Sequence, residues 1–403
     1  MKKSLALFIT CIAFAVVITS CSKKEVTTFT TVALPESHPI NSDTIPAFAK
    51  GTLLAGKTYY ITEDVTVKKD DTLYAQPGAI VIVLNNSQVN IQGVLELVGT
   101  QAQPVWFDSD TKQPGTWGGF QCDSAQAVTI IWTHVNNTGG PDPTGSSRKS
   151  VFINAPINVD IENSWFTNGQ DDLIRIQSGA KVNIIGNTIS SSGSTDGEAI
   201  NIKSGVTGTV AYNVIWSQAG TGVKLETSDV APFPQTEVEV YNNTFVSNGW
   251  RRGAAEPGRG VSIGVNAIGH VFNNIMVNNY QGLEIFSDAD ITHTTYGNNL
   301  FYASVDNYTD STVTPPIAIN LRANFYPTDG VGVPQPSDLI SKNINDLNPL
   351  FVNYDGRIAA PNGAPFAYDF HLQPGSPAIN AGNSKYNNDI GAYPSNKNAG
   401  NLH

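Results

Sequence analysis

From residue 50 onward, apolar and polar residues alternate in short segments of the chain. Such alternation places successive side chains on opposite faces of a half-buried β-strand. Glycine, asparagine and other turn residues end each segment, and no long segment shows the period of about 3.6 residues that marks an amphipathic helix. The clearest early segments are 59–61, 65–67, 72–74, 79–82, 89–91, 94–97, 105–107 and 128–131. The pattern therefore predicts an all-β chain with almost no helix.

An asparagine before a short apolar segment recurs in the second part of the chain. The recurring residues are Asn163, Asn187, Asn213, Asn243, Asn274 and Asn299, at intervals of 24, 26, 30, 31 and 25 residues. Repeats of this length are typical of solenoids, in which a coil of short strands buries its apolar side chains only by stacking on the next coil. Asparagine tolerates the left-handed backbone conformation, and its amide can bond to the backbone and to the asparagine of the next coil. We therefore place these residues at the corners between strands.

Two further stretches have the same character as the repeat. The first begins at residue 72 (TLYAQPGAIVIVLNNSQVNIQGVLELVGTQAQPVWFDSD) and continues to WGGF at 117–120; the second spans 348–393 (NPLFVNYDG, FHLQPGSPAINAG and DIGAY). Together with the asparagine repeat, they resemble the pectin lyase-like superfamily, including bacterial envelope members. The resemblance implies an all-β, right-handed parallel β-helix, and implies little about chemistry because one fold hosts many functions.

The predicted boundaries follow from these patterns. A single β-helix domain is expected over 49–400, with N-terminal coils at 49–130, asparagine-cornered coils at 131–304, a loop insertion at 305–345 and a closing segment at 346–394. Further insertions at 227–236 and 249–259 are rich in turn residues and are expected to leave the coil wall as loops.

The amino terminus has the pattern of a secretory signal. Lys2 and Lys3 precede a short apolar segment, and residues 1–20 are expected to be removed. The sequence Ile18-Thr19-Ser20-Cys21 resembles the bacterial lipobox, which implies lipidation of Cys21, a lipid anchor and a place in the bacterial cell envelope. Residues 21–48 are rich in Ser, Thr and Pro and are expected to act as a tether. An ordinary cleavage site that happens to precede a cysteine is the alternative.

Composition narrows the classes of partner and cofactor. The formal net charge is −11, with 23 Lys and Arg against 34 Asp and Glu, which argues against a nucleic-acid partner. The six histidines show no metal-binding spacing, and Cys122 has no nearby partner cysteine, so we expect it to be a small buried residue. Calcium bound by oxygen ligands is the one cofactor left open.

Aligning the coils predicts two columns of outward side chains on one face. They are Arg175, Asn201, Lys224, Ser262, Glu284 and Gln177, Lys203, Glu226, Gly264, Phe286. Neighbouring coils lie about 4.8 Å apart, so cations, carboxylates and an aromatic ring would line a strip suited to a polysaccharide. The alternative is a solvated face whose charges pair with one another along the columns.

The segment Gly169-Gln170-Asp171-Asp172, followed by IRIQSG, is similar to an element of the polygalacturonases. In that family paired aspartates supply the acid and base for inverting hydrolysis of a galacturonide, which implies catalytic roles for Asp171 and Asp172. Three other elements of the family pattern depart here: Glu198 replaces a histidine, Lys224-Leu225-Glu226 reverses one charge, and the preceding coil lacks an acid. The aspartates could instead be turn residues at a coil corner.

A polysaccharide lyase is the other catalytic option that the resemblance implies. Arg175, Lys203 and Lys224 would then abstract a proton and neutralise charge. Asp171, Asp172, Asp196 and Glu198 could hold calcium through oxygen ligands, and surface charge is the alternative for this acidic group.

The insertion at 249–259 adds Trp250, Arg251 and Arg252, an aromatic residue beside two cations, which would suit an anionic sugar. Alternatively, the arginines only hold the insertion in place. Three functions remain open: non-catalytic polysaccharide binding, a lyase or hydrolase of uronate-containing glycans, and a structural or adhesive envelope protein. Convergence of Asp171, Asp172, Glu198, Lys203 and Lys224 beside the 249–259 loop would favour catalysis, whereas a flat face would favour binding or structure.

Overall fold

The computed structural model describes residues 38–191, 193, 197–228, 234–358 and 368–395. Within these ranges the chain forms thirty-four strands and one short 3-10 helix, Gly253–Ala255. Cys21, the residues 1–20 and Asp196 lie outside the described residues. The prediction of an almost helix-free, all-β chain is confirmed.

The strands follow one another at short intervals. The first twelve are β1 (Gly51–Leu53), β2 (Thr58–Ile61), β3 (Val65–Val67), β4 (Thr72–Ala75), β5 (Ile80–Val83), β6 (Val89–Ile91), β7 (Val94–Val98), β8 (Val105–Ser109), β9 (Phe120–Cys122), β10 (Ala127–Ile131), β11 (Thr133–Asn136) and β12 (Val151–Asn154). The next eleven are β13 (Asn158–Glu162), β14 (Trp165–Gly169), β15 (Ile174–Gln177), β16 (Lys181–Ile185), β17 (Thr188–Ser191), β18 (Ile200–Ile202), β19 (Thr207–Ala211), β20 (Val214–Trp216), β21 (Val223–Glu226), β22 (Glu237–Tyr241) and β23 (Thr244–Val246). The last eleven are β24 (Arg259–Gly264), β25 (Ile268–Phe272), β26 (Ile275–Val277), β27 (Gln281–Ile285), β28 (Thr295–Gly297), β29 (Leu300–Tyr302), β30 (Asn307–Asp310), β31 (Ile317–Asn320), β32 (Leu339–Ile340), β33 (Phe351–Asn353) and β34 (Asp369–Leu372).

Each strand of the coils pairs in parallel with the strand three positions further along the chain, which lies one coil away, and this pairing produces three long sheets. Sheet A contains ten strands in the order β1, β4, β7, β10, β13, β16, β19, β22, β25, β28. Sheet B contains eleven strands, β2, β5, β8, β11, β14, β17, β20, β23, β26, β29 and β32. Sheet C contains nine strands, β3, β6, β9, β12, β15, β18, β21, β24 and β27. The chain is therefore a right-handed parallel β-helix, as the sequence predicts.

The core lies inside the coils and is built from one side chain in two along each strand. In β5, for example, Val81 and Val83 are fully buried whereas Ile80 and Ile82 are half-buried. The inward residues of neighbouring coils face each other at the same register, as Val128 and Leu95 do in sheet A. Apolar burial contributes roughly 25 cal/mol per Å². Stacking on both sides is what lets a coil of such short strands bury its apolar area.

The asparagine repeat forms a ladder inside the solenoid. Asn187 donates from its side-chain amide to Asn213 Oδ1 at 2.9 Å, and the same bond links Asn213 to Asn243, Asn243 to Asn274 and Asn274 to Asn299 at 2.9–3.0 Å. Each acceptor oxygen also receives the backbone N–H of the preceding asparagine. The predicted bonding between asparagines of adjacent coils is thus present.

The predicted start of this ladder at Asn163 is wrong by one residue. Asn163 has a left-handed backbone with φ +51°, as does Gly186 with φ +70° in the next coil. The ladder position is held by Ser164, whose N–H donates to Asn187 Oδ1 at 2.9 Å across 23 residues. Because serine can also cap a corner, the asparagine spacing alone misplaces this coil by one residue.

The chain after β29 packs differently from the coils. Strands β30 and β31 form an antiparallel hairpin, and β32 returns to pair with β29 in sheet B, so the predicted loop insertion at 305–345 contains strands of its own. Strands β33 and β34 are also antiparallel. Phe351, Phe370 and Ile390 join outward residues of sheet B, among them Trp216 and Val277, in a second apolar cluster. This segment thus covers part of the outer face of sheet B.

Candidate functional site

The outer face of sheet C carries the side chains that the sequence analysis brought together. Strand pairing places Arg175, Asn201, Lys224, Ser262 and Glu284 at successive paired positions of β15, β18, β21, β24 and β27. The predicted register of this column is therefore correct at all five residues. The register could be predicted because each of the five residues lies between two buried, branched aliphatic residues, which define the alternation of inward and outward side chains without ambiguity.

Asp171 and Asp172 lie at the corner that leads into β15, and they have different partners. Asp171 Oδ2 accepts from Lys149 Nζ at 2.7 Å. Burial, with a smaller contribution from Asp172, raises the pKa of Asp171, and Lys149 only partly offsets this. The side chain of Asp172 is 3% exposed, and its Oδ2 accepts from Asn201 Nδ2 at 2.9 Å and lies 3.4 Å from Arg175 Nη1.

Glu198 completes a carboxyl pair with Asp172. The backbone N–H of Glu198 donates to Asp172 Oδ1 at 2.9 Å, and the two side chains are also within hydrogen-bonding contact. Burial and the negative charge of Asp172 raise the pKa of Glu198 to about 8, although Lys224 and Arg252 act in the opposite direction. At neutral pH the glutamate therefore carries a proton that it can donate, next to the side chain of Asp172. Two close carboxyls of this kind are the chemical requirement for acid–base catalysis.

The lysines of the predicted site bind a common carboxylate. Glu226 lies 3.0 Å from Lys203 Nζ and 3.2 Å from Lys224 Nζ. Burial raises the pKa of Glu226, but the two lysines outweigh burial and bring it below its usual value. Lys224 also acts electrostatically on Glu198. Asp171, Asp172, Glu198, Lys203 and Lys224 thus converge on three neighbouring coils, in a largely buried network of hydrogen bonds and ion pairs.

The far end of the face holds a second ion pair. Glu284 is fully buried and forms a short ion pair with Arg259, and burial raises the pKa of Glu284 despite that arginine. Arg259 also lies over the ring of Phe286 at 5.2 Å from the ring centre. Both predicted ligand-binding residues, Glu284 and Phe286, therefore already contact an arginine of this chain.

The 249–259 insertion folds onto the solenoid. Trp250 is 5% exposed, its Nε1 donates to Asn278 O at 2.7 Å, and its ring packs on Tyr280 and Tyr308. The buried indole offers little surface to a sugar. Binding of a sugar by Trp250, as predicted from the sequence, would need an exposed ring face, and this ring is buried.

The two arginines of the insertion have separate roles. Arg251 donates to Ser191, Gly193 and Ser217 through five hydrogen bonds of 2.5–3.1 Å, and burial lowers its pKa to about 10. It ties the loop down, as the alternative interpretation held. Arg252 instead donates to Glu198 Oε1 at 2.9 Å and brings the insertion to the carboxyl pair.

The calcium prediction involves residues that bind protein donors in this structure. Asp171, Asp172 and Glu198 accept hydrogen bonds or ion pairs from Lys149, Asn201 and Arg252. Among the described residues, no group of three or more His, Cys, Asp or Glu side chains is placed to hold a metal ion. Asp196, the fourth predicted ligand, lies outside them. Calcium binding stays a prediction from the sequence.

An open groove of about 630 Å³ lies on the same face, toward the N-terminal coils. Its floor is the outward column of sheet C: Asn90, Gln121, Phe152 and Arg175. One wall is the 142–149 segment between β11 and β12, which contributes Asp142, Ser146, Arg148 and Lys149. We call this the sheet C groove. The groove includes two residues of the columns predicted from the sequence, Arg175 and Gln177. The other floor residues, Asn90, Gln121 and Phe152, continue the Arg175 column into earlier coils, so extending the strand alignment toward the N-terminus would have found them.

Two amide oxygens on this face have no hydrogen-bond donor within the described residues. Gln177 Oε1, in the groove, and Asn201 Oδ1, next to it, are buried, and their residues are 8% and 3% exposed. Their amide nitrogens donate to Asn154 and Asp172, which fixes the orientation of both side chains. A buried acceptor without a donor is costly, so both positions suit a ligand hydroxyl.

Within the described ranges, no helix is long and apolar enough to span a bilayer. Cys122 is buried, as predicted, and burial raises its pKa well above the usual thiol range. It is therefore an inert core residue rather than a nucleophile.

Comparison with known proteins agrees with the architecture. The family described as "Right handed beta helix region" matches residues 118–301, which span β9 to β29 in part or whole. Neither the curated proteins nor the solved structures give a match. The family description names a fold and no activity, and the similarity to polygalacturonases gains no support from it. The family match over residues 118–301 and the three stacked parallel sheets identify the fold as a right-handed parallel β-helix, which is consistent with the pectin lyase-like type.

Proposed function

We propose that this protein binds a polysaccharide along the outer face of sheet C, in the sheet C groove. The observation that carries the proposal is the make-up of that groove: amide side chains, one aromatic ring and cations, with a buried amide oxygen at Gln177 that has no donor among the described residues. Ligand pockets combine apolar surface with a few fixed polar groups in this way.

Charge and spacing support a sugar chain rather than a small molecule. The groove is lined by three cationic side chains, Arg148, Lys149 and Arg175, and by acidic side chains such as Asp64. A ligand in the groove can therefore contact both positively and negatively charged groups. The outward column repeats about every 4.8 Å from coil to coil, which gives a row of similar contacts along one line. The arginines favour carboxylates, which makes a uronate-containing polymer the first candidate.

The test is affinity electrophoresis through gels that contain acidic or neutral polysaccharides. We expect retardation by a uronate-containing polymer, and a loss of affinity of about tenfold in Phe152→Ala and in Gln177→Ala. Tyr74→Ala is the matched control, because Tyr74 is a half-buried aromatic residue at the outer face of sheet A. Equal loss in the control, or no retardation by any polysaccharide, would favour a structural or adhesive role instead.

A second candidate function is cleavage of the bound glycan, and the proton-carrying Glu198 beside Asp172 favours it. In hydrolysis, Glu198 would protonate the leaving oxygen while a carboxylate activates water. In β-elimination, Lys203 or Lys224, as a neutral amine, would take the proton next to a uronate carboxyl while the bond to the leaving sugar oxygen breaks, and Glu198 would protonate that oxygen. The low exposure of the pair, 3% for Asp172 and 7% for Glu198, argues for binding as the first choice.

Catalysis is tested separately from binding. Uronate-containing polymers are incubated with the protein, and new reducing ends and the ultraviolet absorbance of unsaturated uronides are followed. Glu198→Gln keeps the shape and neutrality of the protonated side chain but cannot transfer its proton, so it should abolish cleavage and retain gel retardation. Activity that survives the combined Asp171→Ala, Asp172→Ala and Lys224→Ala substitutions would refute this assignment.

Attachment to the bacterial cell envelope belongs to the same proposal. The segment that ends at Cys21 supports lipidation, which would hold the β-helix at a membrane surface through residues 21–48. Expression with a labelled fatty acid should place label in the wild type and none in Cys21→Ser, which should also leave the membrane fraction. A membrane-bound, labelled Cys21→Ser protein would show that the anchor lies elsewhere.

A further inference from the structure

The outer face of sheet B carries a stack of aromatic rings, on a different sheet from the sheet C groove. Trp106, His134 and Trp165 occupy paired positions on β8, β11 and β14. The ring centres of Trp106 and His134 are 3.6 Å apart, and those of His134 and Trp165 are 4.1 Å apart, with planes inclined by only 4° and 3°. Burial lowers the pKa of His134 to about 4, against an opposing effect of Asp108, so the imidazole is neutral and stacks as a flat ring.

The aromatic stack continues no further along the paired positions. Thr188 pairs with Trp165, and Val214 pairs with Thr188. Neither side chain can stack on an indole. At this point Trp165, Thr188, Val214 and Trp216 line a cavity of about 270 Å³, which we call the aromatic cavity. Its volume lies near the lower end of ligand pockets, roughly 300–1,000 Å³, and is suited to one ring rather than a chain.

The opposite wall of the aromatic cavity comes from the C-terminal segment. Tyr368, Phe370, His371 and Tyr393 line it. His371 stacks on Tyr393 with ring centres 4.1 Å apart, and the Tyr368 hydroxyl donates to Asp355 at 2.8 Å. Contacts within the chain therefore hold these walls in place, which lowers the entropy lost when a ligand binds.

The corner that precedes β11 adds a further aromatic ring to this part of sheet B. Trp132 has a left-handed backbone with φ +49°, at the corner where the next two coils have Asn163 and Gly186. Asparagine and glycine adopt that conformation readily, whereas a bulky aromatic residue does so with strain. The Trp132 ring lies 5.8 Å from Trp165 and supports it from the corner. Tyr212 occupies the same corner three coils further on, with φ +57°, so the left-handed backbone is a property of the corner, and it is the ring of Trp132 that contributes to this surface.

The polar groups of the aromatic cavity select the charge of its ligand. Asp369 is the acid in the lining, and the described lining contains no Lys or Arg. Burial raises the pKa of Asp369, but hydrogen bonds from His371 outweigh burial and bring the pKa below its usual value, so the group is ionised at neutral pH. His371, which also lines the cavity, already contacts Asp369 Oδ1 through Nδ1 at 2.6 Å, and because the described lining holds no lysine or arginine, the carboxylate disfavours uronates and other anions. It accepts hydrogen bonds from neutral hydroxyls.

We propose that the aromatic cavity is a second binding site, which takes one neutral pyranose ring between Trp165 and the wall formed by Tyr368 and His371. The C–H face of such a ring packs on aromatic surface, and its hydroxyls reach Asp369 and Thr188. The site is separate from the sheet C groove in position and in ligand charge. It would let the protein hold a neutral sugar unit on one face and an acidic polymer on another.

The test titrates the full chain with methyl glucoside, methyl galactoside and methyl mannoside, followed by saturation-transfer NMR and calorimetry. At least one glycoside should bind the wild type. Thr188→Trp places an indole in the cavity and should raise the dissociation constant about tenfold or more. Trp106→Ala is the matched control, because Trp106 belongs to the aromatic stack but does not line the cavity. The Trp106→Ala variant should bind the glycosides with wild-type affinity.

A second variant keeps the test decisive if Thr188→Trp disturbs the fold. Asp369→Asn preserves the size of the side chain and removes its charge, so it should weaken glycoside binding and strengthen binding of glucuronate. Phe152→Ala, in the sheet C groove, should leave glycoside binding unchanged, which separates this proposal from the proposed function. Absence of binding by all three glycosides, stronger binding of indole than of any glycoside, or wild-type affinity in Thr188→Trp would each overturn the proposal.

Discussion

The asparagine ladder should contribute measurably to stability, and Asn243→Ala tests it at its centre. Asn243 is fully buried. Its Oδ1 accepts from the backbone N–H and side-chain amide of Asn213 at 3.0 and 2.9 Å. Its Nδ2 donates to Asn274 Oδ1, Val210 O and Tyr241 O at 3.0–3.1 Å. Alanine removes all five of these side-chain bonds.

The cost follows from what the deletion leaves behind. The net value of one buried hydrogen bond is about 1 kcal/mol, and a buried donor left unsatisfied costs about 1–3 kcal/mol. The N–H of Asn213 loses its acceptor, whereas Asn274 Oδ1 still receives the backbone N–H of residue 243. We expect Asn243→Ala to lower the free energy of unfolding by about 3–5 kcal/mol.

Urea unfolding followed by circular dichroism measures this loss, and hydrogen exchange at the Asn213 amide locates it. Asn345→Ala is the control, because Asn345 is exposed and should change stability by no more than about 0.5 kcal/mol. If the two variants lose the same stability, or if the Asn213 amide keeps its protection in Asn243→Ala, the ladder is not a source of stability and the reasoning is refuted.

Three further predictions concern the charge network, the core and the insertion. Because the folded pKa of Glu198, about 8, lies above the ordinary glutamate value of 4.5, the unfolded state releases this proton first, and wild-type stability should fall as pH rises between these values. Glu198→Gln should remove that fall in urea unfolding across this range, and an unchanged pH profile would contradict the shift. Ile202→Ala empties a fully buried position of sheet C and should cost about 2–5 kcal/mol, against about 0.5 kcal/mol or less for the exposed Lys181→Ala; equal losses would argue against tight packing. Arg251→Lys cannot reproduce the five hydrogen bonds of the guanidinium, so limited proteolysis should cut the 249–259 insertion faster; cleavage at the wild-type rate would show that Arg251 does not hold it.

The fold was predictable because its determinants are local and repeated. Alternation in segments such as 79–82 defines which side chains enter the core, and the corner asparagines set the coil length. The register of Arg175, Asn201 and Lys224 followed from these two signals. The same signals failed at Ser164, where a residue without the asparagine signature takes the ladder position. A second ladder, in which Asn248 donates to Asn279 Oδ1 at 2.9 Å, was missed because its sequence pattern is shorter.

The candidate site was predictable only in part. Asp172 and Glu198 lie on neighbouring coils, so the sequence repeat predicts that they are close to each other. Arg252 reaches Glu198 from 54 residues away, and no periodicity predicts that contact. The burial of Trp250 depends on Tyr308, which lies in another insertion. The sheet C groove likewise depends on how the 142–149 segment folds back, which turn residues alone do not specify.

By itself, the sequence determined the coil: which residues face inward, where corners fall and which outward side chains share a column. Each of these depends on contacts within a coil or between adjacent coils, and such contacts repeat often enough to leave a pattern. Only the tertiary structure decided how the insertions and the C-terminal segment pack on the coils. That packing joins residues far apart in the chain through single contacts, such as Tyr212 with Asn387 or Arg252 with Glu198. Because such a contact occurs only once, it produces no periodic pattern in the sequence from which it could be predicted.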